Sequence, residues 1–555
     1  MRRASGIIMH IASLPGKYGI GTFGKEAFEF VDFLKKAGQG YWQILPLGPT
    51  SYGDSPYQSF SAFAGNPYFI DFDILNKEGL LNKKDYQGIN FGNDPEKIDY
   101  ALLFDKKMRV LRIAYEKSLD KNKEEIEKFR EENKLWLEDY ALYMAIKNEN
   151  ELVSWQEWDE KLRLRDKKIL EEYKVKLEKE INYWIFLQYH FFKQWNKLKE
   201  YANSFGIKII GDMPIYVAED SADVWANPKA FLLDENNIPK NVAGCPPDAF
   251  SETGQLWGNP IYDWSYMDDT GYSWWIDRVR ESFKLYDILR IDHFRGFEAY
   301  WQIPYGDETA VNGEWVKGPG IKLFNAIKEE LGEVNVIAED LGYLTKEVID
   351  FIRGFEAYWQ IPYGDETAVN GEWVKGPGIK LFNAIKEELG EVNVIAEDLG
   401  YLTKEVIDFR NETGFPGMKV LQFAFDSREE SDYLPHNYPV NSIAYTGTHD
   451  NDTFRGWFEV TGNREDVEYS KKYLKLTEEE GYNWGFIRGV WSSVSHTAIA
   501  LMQDFLNLGN EARINYPSTL GGNWQWRVKY DALTDELAEK IYDITKLYGR
   551  VNINE

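Results

Sequence analysis

Short apolar runs recur along this chain at intervals too long for hairpins, and several of them end in a polar or charged residue. Gly6 to Ile11, Tyr41 to Pro46, Gly206 to Pro214, Ile288 to Asp292, Val334 to Asp340, Gly417 to Phe423, the stretch beginning Ser442-Ile443-Ala444-Tyr445, and Thr497 to Gln503 are all of this kind. Near-continuous apolar runs bounded by turn residues predict buried strands of a parallel sheet, which is covered on both faces. Helical patterns separate them, such as the amphipathic stretch Lys25 to Ala37. Eight strands alternating with helices predict an α/β fold, the (β/α)8 TIM barrel, with the whole chain of residues 1–555 as one catalytic domain. Three of the runs reach a carboxylate at Asp212, Asp292 and Glu339. Such residues sit at the C-terminal mouth of the barrel, where barrel enzymes keep their chemistry.

The rhythm is interrupted in three places. Over residues 67–203 it gives way to charged helices, such as Lys106 to Asn133 and Leu135 to Glu149, whose charge runs are solvated faces of a mainly helical insertion. Over residues 213–275 the chain is rich in Gly, Pro, Trp and polar residues, including Gln255, Trp257 and Asn259. A loop of that length is functional or disordered, and its aromatics favour a functional insertion over the active site. The third interruption is a tandem repeat. Arg295 to Phe351 recurs residue for residue as Arg353 to Phe409, an offset of 353 − 295 = 58, and gives Glu339 a twin in Glu397.

Composition narrows the function. The net charge of −27 excludes a protein built to neutralise nucleic-acid phosphates or anionic membrane surfaces. No run approaches the roughly 18 apolar residues of a membrane span. The N-terminal Met1-Arg2-Arg3 precedes too short an apolar stretch for a signal peptide, so a cytoplasmic location is expected. The single cysteine, Cys245, excludes an internal disulfide, and the six histidines form no HExxH pair, so no metal or other cofactor is expected. A neutral substrate fits better, and 20 Trp with 35 Tyr supply platforms for the apolar faces of sugar rings, although most single aromatics of this kind are core. Ser51 to Ser61, with Tyr57 in it, has the polar and aromatic make-up that suits sugar hydroxyls and faces. Gly19, Gly21 and Gly24 form a GxGxxG between a strand and a helix. The next strand ends in Leu45-Pro46, not in the acidic residue a dinucleotide ribose needs, so this is not a nucleotide site.

SLPGKYGIGTFG, SYGDSPYQSFSAFAGNP, IIGDMPIYV, PPDAFSETGQLWGNPIYDW, LRIDHFRGFEAYW, VIAEDLG, GFPGMKVLQFAFD, YTGTHDNDT and GGNWQWR together resemble the bacterial 4-alpha-glucanotransferases, also called amylomaltases. The resemblance runs from Ser5 to Arg527, and removing one repeat leaves 555 − 58 = 497 residues, close to the usual size of that family. It implies a retaining double displacement on alpha-1,4-glucans and maltooligosaccharides. By the same resemblance Asp292 matches the nucleophile, Glu339 the general acid/base, with Glu397 as its alternative, and Asp450 a third carboxylate that favours the oxocarbenium-like transition state. Arg290, two residues before Asp292 on the same strand face, would keep that carboxylate charged. Tyr57, Asp212, Gln255, Trp257, Asn259, His293 and His449 are the further substrate-binding candidates. A strand-end carboxylate alone is more often a cap or an ion-pair partner; three in motifs on three strands of one barrel reverse that weighting.

Two other outcomes stay open at this stage: a hydrolase in which water intercepts the intermediate, and a barrel broken by the duplication that only binds glucan. The repeat also allows two placements and, because the copies match, hybrids of the two that exchange at any equivalent point within it. Either residues 295–351 enter the barrel and 352–409 are extruded on the face away from the substrate, or 353–409 enter and the extra segment lies over the active site. The first arrangement is expected, because helix-to-strand connections of a barrel lie on its non-catalytic face. It makes Glu339 the working residue.

Overall fold

The computed structural model describes residues 3–51, 53–118, 121–247, 253–297, 299–332, 334, 336–338, 357–360, 372–375, 396–397, 417–425, 431, 433–517, 519 and 521–552. Its strands in chain order are β1 (Ala4–Ile8), β2 (Tyr41–Gln43), β3 (Lys208–Pro214), β4 (Asn241–Cys245), β5 (Gln255–Pro260), β6 (Ile288–Asp292), β7 (Ala299–Pro304) and β8 (Glu314–Lys317). They continue with β9 (Val336–Ala338), β10 (Ala357–Gln360), β11 (Glu372–Lys375), β12 (Ala396–Glu397), β13 (Gly417–Val420), β14 (Ser442–Tyr445) and β15 (Thr497–Leu501).

Nine of these strands form a single sheet in the order β12-β13-β14-β15-β1-β2-β3-β6-β9, with every pairing parallel. β9 and β12 come from equivalent parts of the two repeat copies, so counting them once leaves the eight positions of a TIM-type barrel. The strands are buried as the apolar runs require, from Ile7 and Ile8 through Ile209, Leu289 and Ile291 to the five residues of β15.

The helices follow from their own periodicity. Lys25–Lys36 buries Ala27, Phe30, Val31, Phe33 and Leu34 on one face, has Glu26 in its first turn and ends in Lys35 and Lys36, which oppose the helix dipole favourably. Gly38, at φ +69°, then turns the chain into β2. The region between β2 and β3 holds the helices, dominated by Glu178–Ser204, which packs against Leu137–Glu149. The charged stretch from Lys106 to Asn133 is two helices, Met108–Ser118 and Lys123–Glu132, not one. Asn122 stands in the left-handed region at φ +56°, a conformation that a continuous helix cannot include.

The segment expected to be loop carries strands as well. β4 and β5 pair antiparallel and join β7 and β8 in a four-stranded sheet of order β5-β4-β7-β8. The first repeat copy thus docks its hairpin on β4, with Val242, Ile303 and Ala310 forming a small apolar cluster beside Trp301. Leu323 and Ile327 of the following helix, Ile321–Leu331, are buried. The equivalent hairpin of the second copy, β10 with β11, forms a separate two-stranded sheet.

No helix among the described residues is long and apolar enough to cross a membrane. Gly21 and Gly24 of the GxGxxG serve close packing, since a Cβ on Gly21 would lie 1.8 Å from the Ile11 carbonyl oxygen and one on Gly24 2.2 Å from the Asp71 carboxylate.

Candidate active site

The site grows from the register of two neighbouring strands. β3 and β6 run parallel with Asp212 beside Arg290 and Pro214 beside Asp292. Side chains two apart on a strand share a face, so Arg290 and Asp292 project together. The Arg290 guanidinium accordingly bridges two carboxylates, donating from Nη1 to Asp212 Oδ2 at 2.5 Å and from Nη2 to Asp292 Oδ1 at 3.1 Å. Arg290 and Asp212 are buried, whereas the Asp292 side chain keeps 30% of its exposure. The buried cation is thus shared between two carboxylates, of which only Asp292 is partly open to a ligand. Directly after Asp292, His293 adopts φ +53°, which turns the chain sharply at the strand end. A non-glycine residue in that region stores backbone strain, a common feature of functional sites.

Across the mouth, Tyr57 ties the two halves of the site together. Its hydroxyl lies 2.9 Å from Asp212 Oδ2 and 3.0 Å from His449 Nε2. The phenol donates to Asp212, and its oxygen is also paired with the His449 ring nitrogen. That nitrogen also lies 3.3 Å from Asp450 Oδ2. The Tyr57 and His449 rings stack at 5.4 Å with an interplanar angle of 12°. Burial, then the negative charge of Asp212, pushes the Tyr57 hydroxyl well above its ordinary pKa, which keeps it a donor throughout the physiological range. Asp212 Oδ1 is buried without a hydrogen-bond partner, beside a cavity also lined by Tyr57, Tyr216 and Arg278.

The third side is β5. Trp257 sets its ring edge-on to His293 at 4.8 Å, and its indole N–H donates to Gln255 Oε1 at 3.1 Å. Asn259 is buried, donates to the Val217 carbonyl at 2.8 Å and accepts from Gln58 at 3.2 Å. Its polar atoms thus hold β5 and the Tyr57 loop against the barrel. Tyr57, Asp212, Arg290, Asp292, His449 and Asp450 form one hydrogen-bonded network, with Trp257, His293 and Gln255 as a second group adjoining it. Glu339 lies outside the described residues, and only the backbone of Glu397, in β12, is described.

Several contributors were not legible beforehand. Asn515 donates to Asp450 Oδ1 at 2.6 Å and Arg513 to the Asp450 carbonyl at 2.6 Å, both from irregular chain without periodicity. Trp524 completes an aromatic trio with Tyr57 and His449 at 5.6 and 6.1 Å. His10 follows β1, where its Nδ1 accepts from the Leu45 amide at 3.3 Å. Burial, reinforced by the nearby His449, depresses its pKa to about 3, so it is a neutral core residue beside the site. Among the described residues no group of three or more His, Cys, Asp or Glu side chains could hold a metal ion.

The chain matches the family described as 4-alpha-glucanotransferase over residues 9–351 and 349–534, two stretches that meet where the first repeat copy ends. It is 57% identical over 543 residues to the 4-alpha-glucanotransferase of Clostridium butyricum, covering 98% of this chain and 100% of the relative. Identity to the Thermus thermophilus 4-alpha-glucanotransferase is 45% over 545 residues, 96% of each chain. Among solved structures it is similar to the amylomaltase from Streptococcus agalactiae in complex with acarbose, with a TM-score of 0.85 and 43% identity over 99% of this chain and 100% of that one. On this evidence the chain belongs to the 4-alpha-glucanotransferase family.

Proposed function

We propose that this protein is a retaining 4-alpha-glucanotransferase of maltooligosaccharides, with Asp292 as the nucleophile. The observation that carries the reading is the in-register Asp212–Arg290–Asp292 array at the C-terminal ends of β3 and β6, tied through Tyr57 to His449 and Asp450. In the first step the Asp292 carboxylate attacks the anomeric carbon of an alpha-1,4-linked glucose while the repeat's glutamate, Glu339 or Glu397, protonates the departing 4-oxygen. The C1–O4 bond breaks and a covalent glycosyl ester forms. In the second, the same glutamate takes the proton from the 4-hydroxyl of an acceptor sugar, which displaces Asp292 and restores the alpha linkage. Asp450, held by Asn515 and Arg513, faces the developing positive charge and accepts sugar hydroxyls. Gln255, Trp257 and His293 offer a ring platform and hydrogen-bonding groups on the adjoining side.

The net charge of −27 fits neutral glucans, not nucleic acid, as partners. Asp292→Asn tests the nucleophile. It keeps the hydrogen bond to Arg290 but cannot form the ester, so transfer is abolished while the circular dichroism spectrum is retained; appreciable activity in the purified variant refutes the assignment.

A further inference from the structure

The loop that carries His449 and Asp450 leaves the barrel at the end of β14 and closes on the helical turn Phe454–Gly456. Both of its ends reach one side chain. Beyond Tyr445 the ladder to β15 continues for one backbone bond, from the Thr446 amide to the Ile499 carbonyl at 3.2 Å. It then passes to a side chain, because the Leu501 amide donates to the Thr446 hydroxyl oxygen at 3.4 Å. The hydroxyl in turn donates to Asp504 Oδ2 at 2.6 Å. At the far end of the loop the Phe454 amide donates to the other oxygen of the same carboxylate, Asp504 Oδ1, at 2.7 Å. Thr446, Phe454 and Asp504 are all buried.

Asp504 is itself fixed. It lies in the helix Met502–Phe505 directly after β15, and its carbonyl accepts from Asn483 Nδ2 at 2.9 Å. Stability does not account for a carboxylate here. Burial pushes its pKa up from 3.8 to about 6, against the two hydrogen bonds, which lower it. The ionised form, with two acceptor oxygens, is therefore held at neutral pH at a cost in free energy. The turn at Phe454 is already capped by Thr453, whose hydroxyl oxygen accepts from the Gly456 amide at 3.0 Å. What the carboxylate adds is a fixed distance between the two ends of the loop. Between those ends Asn451 Oδ1 accepts from both the amide and the hydroxyl of Thr448, at 2.8 and 2.9 Å, which makes the loop a compact turn.

From this geometry we propose that Asp504 is a positioning residue for the transfer reaction: by holding Thr446 and Phe454 together, it sets where His449 and Asp450 stand against Tyr57 and the substrate. Being buried, it acts through the loop and not on the sugar, and it complements Asn515 and Arg513, which hold Asp450 directly. This rests on the functional reading of Asp450 given above.

The test uses the full-length chain and its Asp504→Asn, Thr446→Val, Thr446→Ser and Asp450→Asn variants, each checked for folding by circular dichroism and assayed for kcat and KM with maltotriose. An amide offers one acceptor oxygen in place of two, and valine fills the space of threonine without a hydroxyl, so each releases one end of the loop. In both, kcat falls roughly 10- to 100-fold, the size of one hydrogen bond to a charged group, and KM changes less, because Asp450 acts on charge that develops in the transition state. Thr446→Ser keeps the hydroxyl and recovers most of kcat. Folded Asp504→Asn and Thr446→Val proteins with wild-type kcat overturn the proposal, as does a loss confined to KM or a serine variant as slow as the valine one. Failure of both to fold makes the clamp a determinant of folding alone and overturns it too. Hydrogen exchange of the peptide spanning 446–454 reads the loop without activity: it is faster in Asp504→Asn than in the wild type, and unchanged exchange overturns the clamp. Asp450→Asn at wild-type kcat contradicts the functional reading instead and leaves exchange to decide whether Asp504 holds the loop.

Discussion

Replacing Lys107 with methionine stabilises this protein near neutral pH, and the structure sets the size of the effect. Lys107 ends a π-helical turn, Leu103–Lys107, just before the helix Met108–Ser118. Its side chain is fully buried, and its Nζ has no hydrogen-bond partner. The nearest compensation is aromatic, with the ammonium 4.6 Å from the Phe72 ring centre and 5.6 Å from that of Tyr18. Burial lowers its pKa from 10.5 to about 7, against a partly opposing attraction from Asp71. The unfolded chain therefore holds a proton that the native state lacks between about pH 7 and 10.5, and wild-type stability rises with pH across that window. The linked penalty at pH 7 is on the order of 4 kcal/mol. Two cation–π contacts return roughly 2 kcal/mol of it. A net gain of roughly 2 kcal/mol for Lys107→Met raises the melting midpoint by about 2 °C in a chain of this length. Differential scanning calorimetry of both proteins from pH 6 to 10 measures it. The variant leads at pH 7 and the lead shrinks toward pH 10. A variant less stable than wild type at pH 7, or a lead independent of pH, refutes the reasoning.

Two further predictions concern the site. Tyr57→Phe removes the hydroxyl shared by Asp212 and His449; a hydrogen bond to a charged group is worth roughly 1.5–3 kcal/mol, so kcat/KM for maltotriose falls about 10- to 100-fold, and an unchanged value refutes the bridging role. Transfer is indifferent to EDTA, and activity that is lost in EDTA and returns with added metal counts against the carboxylate chemistry.

The elements that can be read from the sequence are those whose signal is local. β6 is the run Ile288 to Asp292 itself, and the carboxylates at Asp212 and Asp292 stand at strand ends because the parallel register places them there. β1 begins and ends earlier than its apolar run, because the chain turns into the short 3-10 helix Ile11–Ser13 after His10. β15 likewise stops at Leu501, where the helix Met502–Phe505 begins within the expected strand. The antiparallel sheet is not legible in the sequence, because β4 is five residues with a glycine in it and, besides the nearby β5, pairs with β7 more than fifty positions away. A strand held by such remote pairing leaves no period for a local pattern to reveal. Arg513 and Asn515 are invisible for the same reason, since their role exists only once irregular chain from beyond β15 is folded back onto Asp450. The repeat is the opposite case. It is plain in the sequence, and the structure places short strands from its two copies, β9 and β12, at the two ends of the sheet.

Product analysis after incubation with maltotriose alone separates glycosyl transfer from hydrolysis and from inactivity. Transfer exchanges one glycosidic bond for another, so a transferase yields glucose together with a ladder of maltooligosaccharides longer than the substrate, at a constant number of reducing ends. A rising number of reducing ends without elongation makes the protein a hydrolase, and unchanged maltotriose makes it a catalytically silent barrel; either result contradicts the account.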